Sequence, residues 1–320
     1  MSISVLGAGA FGTGMACALA TESDIVLWGR NPQAMQEMTQ TRRNAKRLAN
    51  VKLSDAITVT SDLDLALKSD VILLCVPTQK MSSFLQDNST ALSGKILVSC
   101  SKGVDMASGK GPVDLMDQYV PSATTALLTG PSFAIDIAKG LPTALTLAST
   151  DAKDAQDLQV LLSTQTLRIY ASTDVQGAQL GGALKNIMAI GCGALMGAGL
   201  GESARAAMIT RGFAEMQRFA MEFGAQPETL AGLSGFGDLT LTCTSDTSRN
   251  YRFGQCLGKG SAWTSDETVE GATTTKAVAQ LATAKGIDMP ITQTLSQLID
   301  GDLNLPQAVM QLLSRPLTKE

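Results

Sequence analysis

Through its first half the chain alternates short apolar runs with longer mixed segments. The runs at 3–6, 25–28, 57–60, 71–76, 96–100, 125–129, 143–148 and 167–170 are rich in Ile, Val, Leu and Thr. Each is short enough for a strand, and turn residues bound most of them. Near Asp174 this pattern stops. Beyond it the apolar positions recur at helical spacing, over 206–223, 273–285, 292–299 and 305–313. The spacing over 31–48 also predicts a helix, basic at its end through Arg42, Arg43, Lys46 and Arg47, a solvated face rather than a nucleic-acid site. The expected organisation is an α/β domain over residues 1–173 and an all-α domain over 174–320. No repeat or low-complexity segment interrupts either.

The first strand runs into Gly7-Ala8-Gly9-Ala10-Phe11-Gly12, and a small-residue helix follows. This is G-x-G-x-x-G in a strand–turn–helix setting, the dinucleotide fingerprint of a Rossmann-like, doubly wound sheet. Gly7 permits the tight turn, Gly9 lets backbone approach a pyrophosphate, and Gly12 lets helix and strand pack closely. The unpaired N–H groups of the helix's first turn would face the anion. The second strand ends at Arg30, where an NAD-selective site carries an acid for the ribose 2′-hydroxyl. A guanidinium there suits a 2′-phosphate, so NADP is the expected cofactor and NAD the second choice. The plainer reading of Arg30 is a surface arginine at a helix start.

The segment 180–201 is apolar or glycine throughout except for Lys185 and Asn186. A helix apolar on nearly all sides is buried. Its seven glycines and its Lys-Asn pair argue against a membrane span. A lysine inside such a helix either has a structural carboxylate partner or works as an acid or base, because desolvation can lower its pKa by roughly 3–5 units.

Composition sharpens that choice. The chain has no histidine, which excludes Ser-His-Asp and Cys-His chemistry and the usual acid–base group of hydride transfer. Six scattered cysteines without a C-x-x-C give no metal site and suit a reducing cytoplasm. The apolar start lacks a basic leader, so the chain is expected to be mature and cytoplasmic. A net charge of −4 argues against nucleic acid or an anionic membrane as partner. Any anion site must come from local geometry.

Several further residues stand where such geometry would arise. Lys102 immediately follows the strand 96–100, at the mouth of a cleft, or else is a plain loop lysine. Gly130-Pro131-Ser132-Phe133-Ala134 turns from a strand into a helix, with backbone donors toward the same cleft. Asp238, after Ser234-Gly235-Phe236-Gly237, is either a helix cap or the partner of a buried lysine. Ser248-Arg249-Asn250 sets a cap-like hydroxyl, a guanidinium and an amide at a helix start, donors that suit a phosphate monoester.

These motifs resemble the bacterial NAD(P)-dependent glycerol-3-phosphate dehydrogenases, over almost the whole chain. The matching segments are Gly7 to Thr13, Leu27-Trp28-Gly29-Arg30, Ser101-Lys102-Gly103, Gly130 to Ala134, Leu180 to Asn186 and Gly237-Asp238-Leu239. Leu241-Thr242-Cys243-Thr244, Ser248-Arg249-Asn250 and Val269-Glu270-Gly271 complete the series in family order. The resemblance implies a 6-phosphogluconate-dehydrogenase-like fold and reduction of dihydroxyacetone phosphate to sn-glycerol 3-phosphate. It implies Lys185 as proton donor or acceptor, with Lys102 and Asp238 lining the same site. Gly130, Ser132, Ser248, Arg249 and Asn250 would hold the substrate. Ala10, Phe11, Arg30, Ala134, Arg249, Thr268 and Glu270 would touch the cofactor, and Lys102 would be shared between the two. A homodimer and a role in phospholipid synthesis are further implications. One departure stands out: Arg47-Leu48-Ala49-Asn50 replaces the family's Tyr-Leu-Pro before the third long strand.

Two rival readings keep the architecture. A β-hydroxyacid or 6-phosphogluconate-type dehydrogenase would also use a helix lysine but would recognise a carboxylate. A nucleotide sensor would bind NADPH and turn nothing over.

Overall fold

The computed structural model describes residues 1–105, 107–265 and 268–314. Ten strands occur among them: β1 (Ile3–Leu6), β2 (Ile25–Trp28), β3 (Arg43–Asn44), β4 (Leu48–Lys52), β5 (Ile57–Thr60), β6 (Val71–Leu74), β7 (Ile96–Ser99), β8 (Thr124–Thr129), β9 (Thr143–Ala148) and β10 (Leu167–Ser172). All but β3 and β4 join one sheet in the order β10-β9-β8-β7-β6-β1-β2-β5. Neighbours from β5 through to β8 are parallel; β9 runs antiparallel to β8, and β10 parallel to β9. From β1 the chain winds outward to β5, then returns to β6 on the other side of β1. That reversal opens a crevice at the carboxyl ends of β1 and β6, the place where open α/β sheets receive ligands.

The apolar runs are continuous because both faces of the sheet are covered. Val5, Leu73 and Val98 belong to the core on one face, while Leu6, Ile72, Leu74 and Leu97 belong to the core on the other. Beyond β10 every regular element among the described residues is a helix. The helix Val175–Gly197 runs through the middle of that part and is buried at every residue from 177 to 195. Its length and composition would let it cross a membrane, yet it lies inside the protein, wrapped by other helices.

Its glycines have a packing reason. A Cβ on Gly193 would lie 2.0 Å from the Tyr251 carbonyl oxygen, and one on Gly254 would lie 2.1 Å from that of Ile190. The helices Val175–Gly197 and Arg249–Lys259 therefore meet backbone to backbone, which larger side chains would prevent. This close crossing fixes Ser248, Arg249 and Asn250 relative to Lys185.

The predicted helix over 31–48 is a correction. The helix Pro32–Thr41 stops at Arg42, which takes a left-handed φ of 52°, and the chain turns into the β3–β4 hairpin. Asn44, Leu48 and Val51 are buried, and their spacing imitates a helical stripe. The hairpin wins because Arg42 ties it down, donating from its guanidinium to the carbonyls of Ser54 and, at 3.0 Å, Ile57. The departing Arg47-Leu48-Ala49-Asn50 segment forms the hairpin's turn and the start of β4.

Candidate active site

The glycine loop closes directly on β6. Gly7 sits at φ +121°, and a Cβ there would fall 2.5 Å from the Cys75 carbonyl oxygen; one on Gly12 would fall 2.1 Å from that of Gly7. Gly9 differs, since a Cβ there would meet nothing within 4 Å. Its open side is room for a phosphate to reach the backbone. The helix Ala10–Leu19 begins here with no side-chain cap, leaving the amides of its first turn, at Ala10, Phe11 and Gly12, facing that opening. The loop fits a pyrophosphate. Arg30 is exposed at the end of β2, just before Asn31 caps the next helix. Ala134 opens the helix Ala134–Ala138 and lies against Gly14 of the glycine-loop helix.

Across the crevice, three elements bring two amines to one carboxylate. Asp238 is the first residue of the helix Asp238–Cys243, after a π-turn over Leu233–Gly237, and is 1% exposed. Its Oδ1 accepts from Lys185 Nζ at 2.7 Å and its Oδ2 from Lys102 Nζ at 2.6 Å. Asp238 makes no helix cap, so of its two sequence readings the lysine partner is the observed one. Lys102 also donates to the Gly130 carbonyl at 3.2 Å, which the Ser132 hydroxyl shares at 3.1 Å.

One participant lay outside the sequence reasoning. Lys185 donates to Thr242 Oγ1 at 2.6 Å, while the Thr242 hydroxyl donates to the Asp238 carbonyl at 2.6 Å. The available signal was the spacing: Thr242 stands one helical turn after Asp238, so both side chains share a face.

The electrostatics follow from burial and sharing. Lys185 is 7% exposed, and its amine falls from the ordinary 10.5 to about 8. Desolvation is the main cause. The Asp238 charge opposes it and the Lys102 charge reinforces it. Half-buried Glu270, at the start of the helix Glu270–Lys285, faces the positive charges of Arg249, Lys102 and Lys185. Burial pushes its carboxyl up against their pull. Three cations thus confront two carboxylates in a cleft that favours an added anion.

The remaining candidates gather at the same cleft or its edge. Ser248 is the buried cap of the helix Arg249–Lys259, accepting from the Tyr251 amide at 3.2 Å. Arg249 is exposed at that helix's first position. Asn250 accepts from the Gly271 amide at 3.0 Å through Oδ1, which leaves its amide nitrogen free to donate outward. Thr268 is exposed, two residues before Glu270. Among the described residues no cluster of His, Cys, Asp or Glu could hold a metal ion.

Comparison with known proteins decides the family. Residues 2–155 match the N-terminal profile of NAD-dependent glycerol-3-phosphate dehydrogenase, and residues 174–310 match its C-terminal profile. The chain belongs to the NAD-dependent glycerol-3-phosphate dehydrogenase family. It is therefore an oxidoreductase that uses NAD or NADP. A glycerol-3-phosphate dehydrogenase (NAD(P)+) from Ruegeria sp. (strain TM1040) is 56% identical over 320 residues, covering 100% of both chains. One from Roseobacter denitrificans is 53% identical with the same coverage. The solved glycerol-3-phosphate dehydrogenase of Coxiella burnetii superposes with a TM-score of 0.92 at 35% identity, over 98% of this chain and 99% of that one. The expected α/β-plus-helical architecture is that of this family.

Proposed function

We propose that the enzyme reduces dihydroxyacetone phosphate to sn-glycerol 3-phosphate with NAD(P)H, supplying glycerophospholipid synthesis. The observation that carries this reading is the buried Lys185 amine, held between Asp238 and Thr242 beside a second cation, Lys102. Residues 1–173 would hold the cofactor and residues 174–320 most of the substrate. Gly7, Gly9, Ala10, Phe11 and Gly12 would receive the pyrophosphate, with Arg30 on the adenosine ribose and Ala134, Thr268, Glu270 and Arg249 around the rest. Bound there, the reduced nicotinamide supplies a hydride to substrate C2.

The protein's own residues do the remaining work. Arg249, Asn250 and Ser248 bind the phosphate, with Gly130 and Ser132 closing the opposite side. Lys185 gives its proton to the C2 oxygen as negative charge develops there. A proton donor with a pKa near 8 is matched to neutral pH, and general acid catalysis contributes roughly 10²–10⁴-fold. Lys102 adds positive potential at the same oxygen. Asp238 holds both amines in place, and Thr242, beside it, gives Lys185 a second acceptor.

The free thiols of all six cysteines suit a cytoplasmic enzyme, and a homodimer is its expected assembly. Purified protein mixed with NADPH and dihydroxyacetone phosphate should consume NADPH absorbance. NADPH binding without turnover would abandon this reading for a sensor or a carboxylate-specific dehydrogenase.

A further inference from the structure

The β3–β4 hairpin carries one buried polar side chain, Asn44, and it faces the glycine loop rather than its own strands. Asn44 Nδ2 donates to the Ala8 carbonyl at 3.0 Å and to Thr13 Oγ1 at 2.8 Å, and the residue is 5% exposed. Both amide hydrogens are thus spent on the dinucleotide loop, one before and one after its central turn. We propose that Asn44 is a positioning residue for the cofactor: through the Ala8 peptide it aims the Gly9 N–H at the pyrophosphate. The inference rests on the dinucleotide reading of that loop.

Peptide geometry makes the link. A trans peptide is planar, so its carbonyl and its N–H point in opposite directions. The Ala8 carbonyl and the Gly9 N–H belong to one peptide. Pinning the carbonyl toward the hairpin turns the N–H away from it. Gly9 has no Cβ to resist rotation and nothing within 4 Å on its open side, so the loop itself has little else to fix this plane. The second bond, to Thr13, anchors the same amide to the helix whose first turn faces the opening.

The hairpin is built to hold Asn44 still. Arg42 fastens its base to the carbonyls of Ser54 and Ile57, and Arg43 closes it internally by donating to the Ala49 carbonyl at 3.1 Å. The Leu53 amide returns to the Arg42 carbonyl at 2.8 Å, and β4 lies against the helix Ala134–Ala138. A surface hairpin without a partner strand would otherwise be a weak element. Here it is braced on both sides of the residue that reaches inward.

The test is the steady-state kinetics of Asn44→Ala, with NADPH and dihydroxyacetone phosphate varied separately. The expected result is a KM for NADPH raised about 10-fold, the scale of one positioned hydrogen bond, with the KM for dihydroxyacetone phosphate changed less than about 2-fold. Equal rises in both KM values, or an unchanged KM for NADPH in folded protein, would overturn the proposal. Asn44→Asp is isosteric and cannot donate to the Ala8 carbonyl. It should raise the KM for NADPH at least as far, and it serves alone if the alanine variant fails to fold. Thr13→Ala, which leaves the Ala8 bond intact, should raise it less than either. NADPH binding by the unmodified protein, followed by fluorescence, separates the two ideas: its absence removes the cofactor reading itself, whereas its presence with indifferent Asn44 variants removes only this inference.

Discussion

Lys185 and Asp238 stand 53 positions apart in the chain and 2.7 Å apart in the fold. The carboxylate does not belong to Lys185 alone, because Lys102 holds its other oxygen. Two amines sharing one carboxylate leave the buried Lys185 under-compensated, and this keeps its proton transferable. Lys185→Ala is expected to lower kcat by about 10²-fold or more while NADPH binding persists. Single-turnover assays beside NADPH titration check both halves. A variant that kept most of its turnover would move the proton to Lys102 or water.

The amine near 8 gives the reaction a directional pH dependence. Reduction needs Lys185 protonated, so its rate should hold below about 8 and fall about tenfold per unit above. Oxidation of glycerol 3-phosphate needs the free amine and should rise through the same range. Stability carries the opposite mark of the same burial. The folded state binds this proton less tightly than the unfolded chain, whose ordinary value is 10.5. Folding stability from this group should therefore increase as pH climbs from about 8 to 10.5. Rate profiles in both directions, with Lys185→Ala as reference for the stability curve, decide it.

The glycine fingerprint and the apolar helix were legible because each is a local pattern with one dominant physical use. A G-x-G-x-x-G between strand and helix leaves few alternatives, and an apolar helix carrying a single lysine must bury it. The hairpin was hidden for the converse reason. Asn44, Leu48 and Val51 repeat at helical spacing, and the Arg42 anchorage that overrides it reaches residues 54 to 57, beyond any local window. The lysine–aspartate contact was foreseeable as an alternative, but the choice between cap and partner needed the tertiary approach of two distant helices. Thr242 went unassigned because a threonine on an apolar helix face has no chemistry until a lysine arrives beside it.

Arg249 stands exposed at a helix start and faces Glu270, where charge alone and bidentate geometry can be told apart. Arg249→Lys keeps the charge and loses the planar fork. It should raise the KM for dihydroxyacetone phosphate by about 10-fold or more, since a charge-assisted bond contributes roughly 1.5–3 kcal/mol. Arg30→Ala should instead leave that KM alone and lower the preference for NADPH over NADH. Substrate and cofactor titrations on the two variants check it; a raised KM for dihydroxyacetone phosphate in Arg30→Ala would break the assignment of Arg30 to the cofactor alone.

Glu215 supplies a test of the fold that is independent of the reaction. It projects from the helix Glu202–Met221, is 2% exposed, and accepts from the Ile291 amide at 2.6 Å, the Thr292 amide at 3.2 Å and the Thr292 hydroxyl at 3.1 Å. The helix Pro290–Asp300 begins with Met289, which offers no capping side chain, so Glu215 caps it from a neighbouring helix. Burial pushes this carboxyl from 4.5 to about 7, against the pull of its three donors and Arg218. Between those values the folded protein holds a proton that the unfolded chain has lost. The stability contributed by this group should therefore fall as pH rises from about 4.5 to 7, by at most ~1.4 kcal/mol per unit. Other groups titrate in that window too, so the difference between proteins is the informative quantity. Glu215→Gln keeps an acceptor for Ile291 and carries no titratable proton; denaturant unfolding at pH 5 and pH 7 should show its pH slope to be less negative than the parent's. Glu215→Ala strands the Ile291 and Thr292 amides and should cost roughly 1–3 kcal/mol at either pH. Parallel slopes for the parent and the glutamine variant would mean that the carboxyl does not titrate in this range, and that its three donors outweigh its burial.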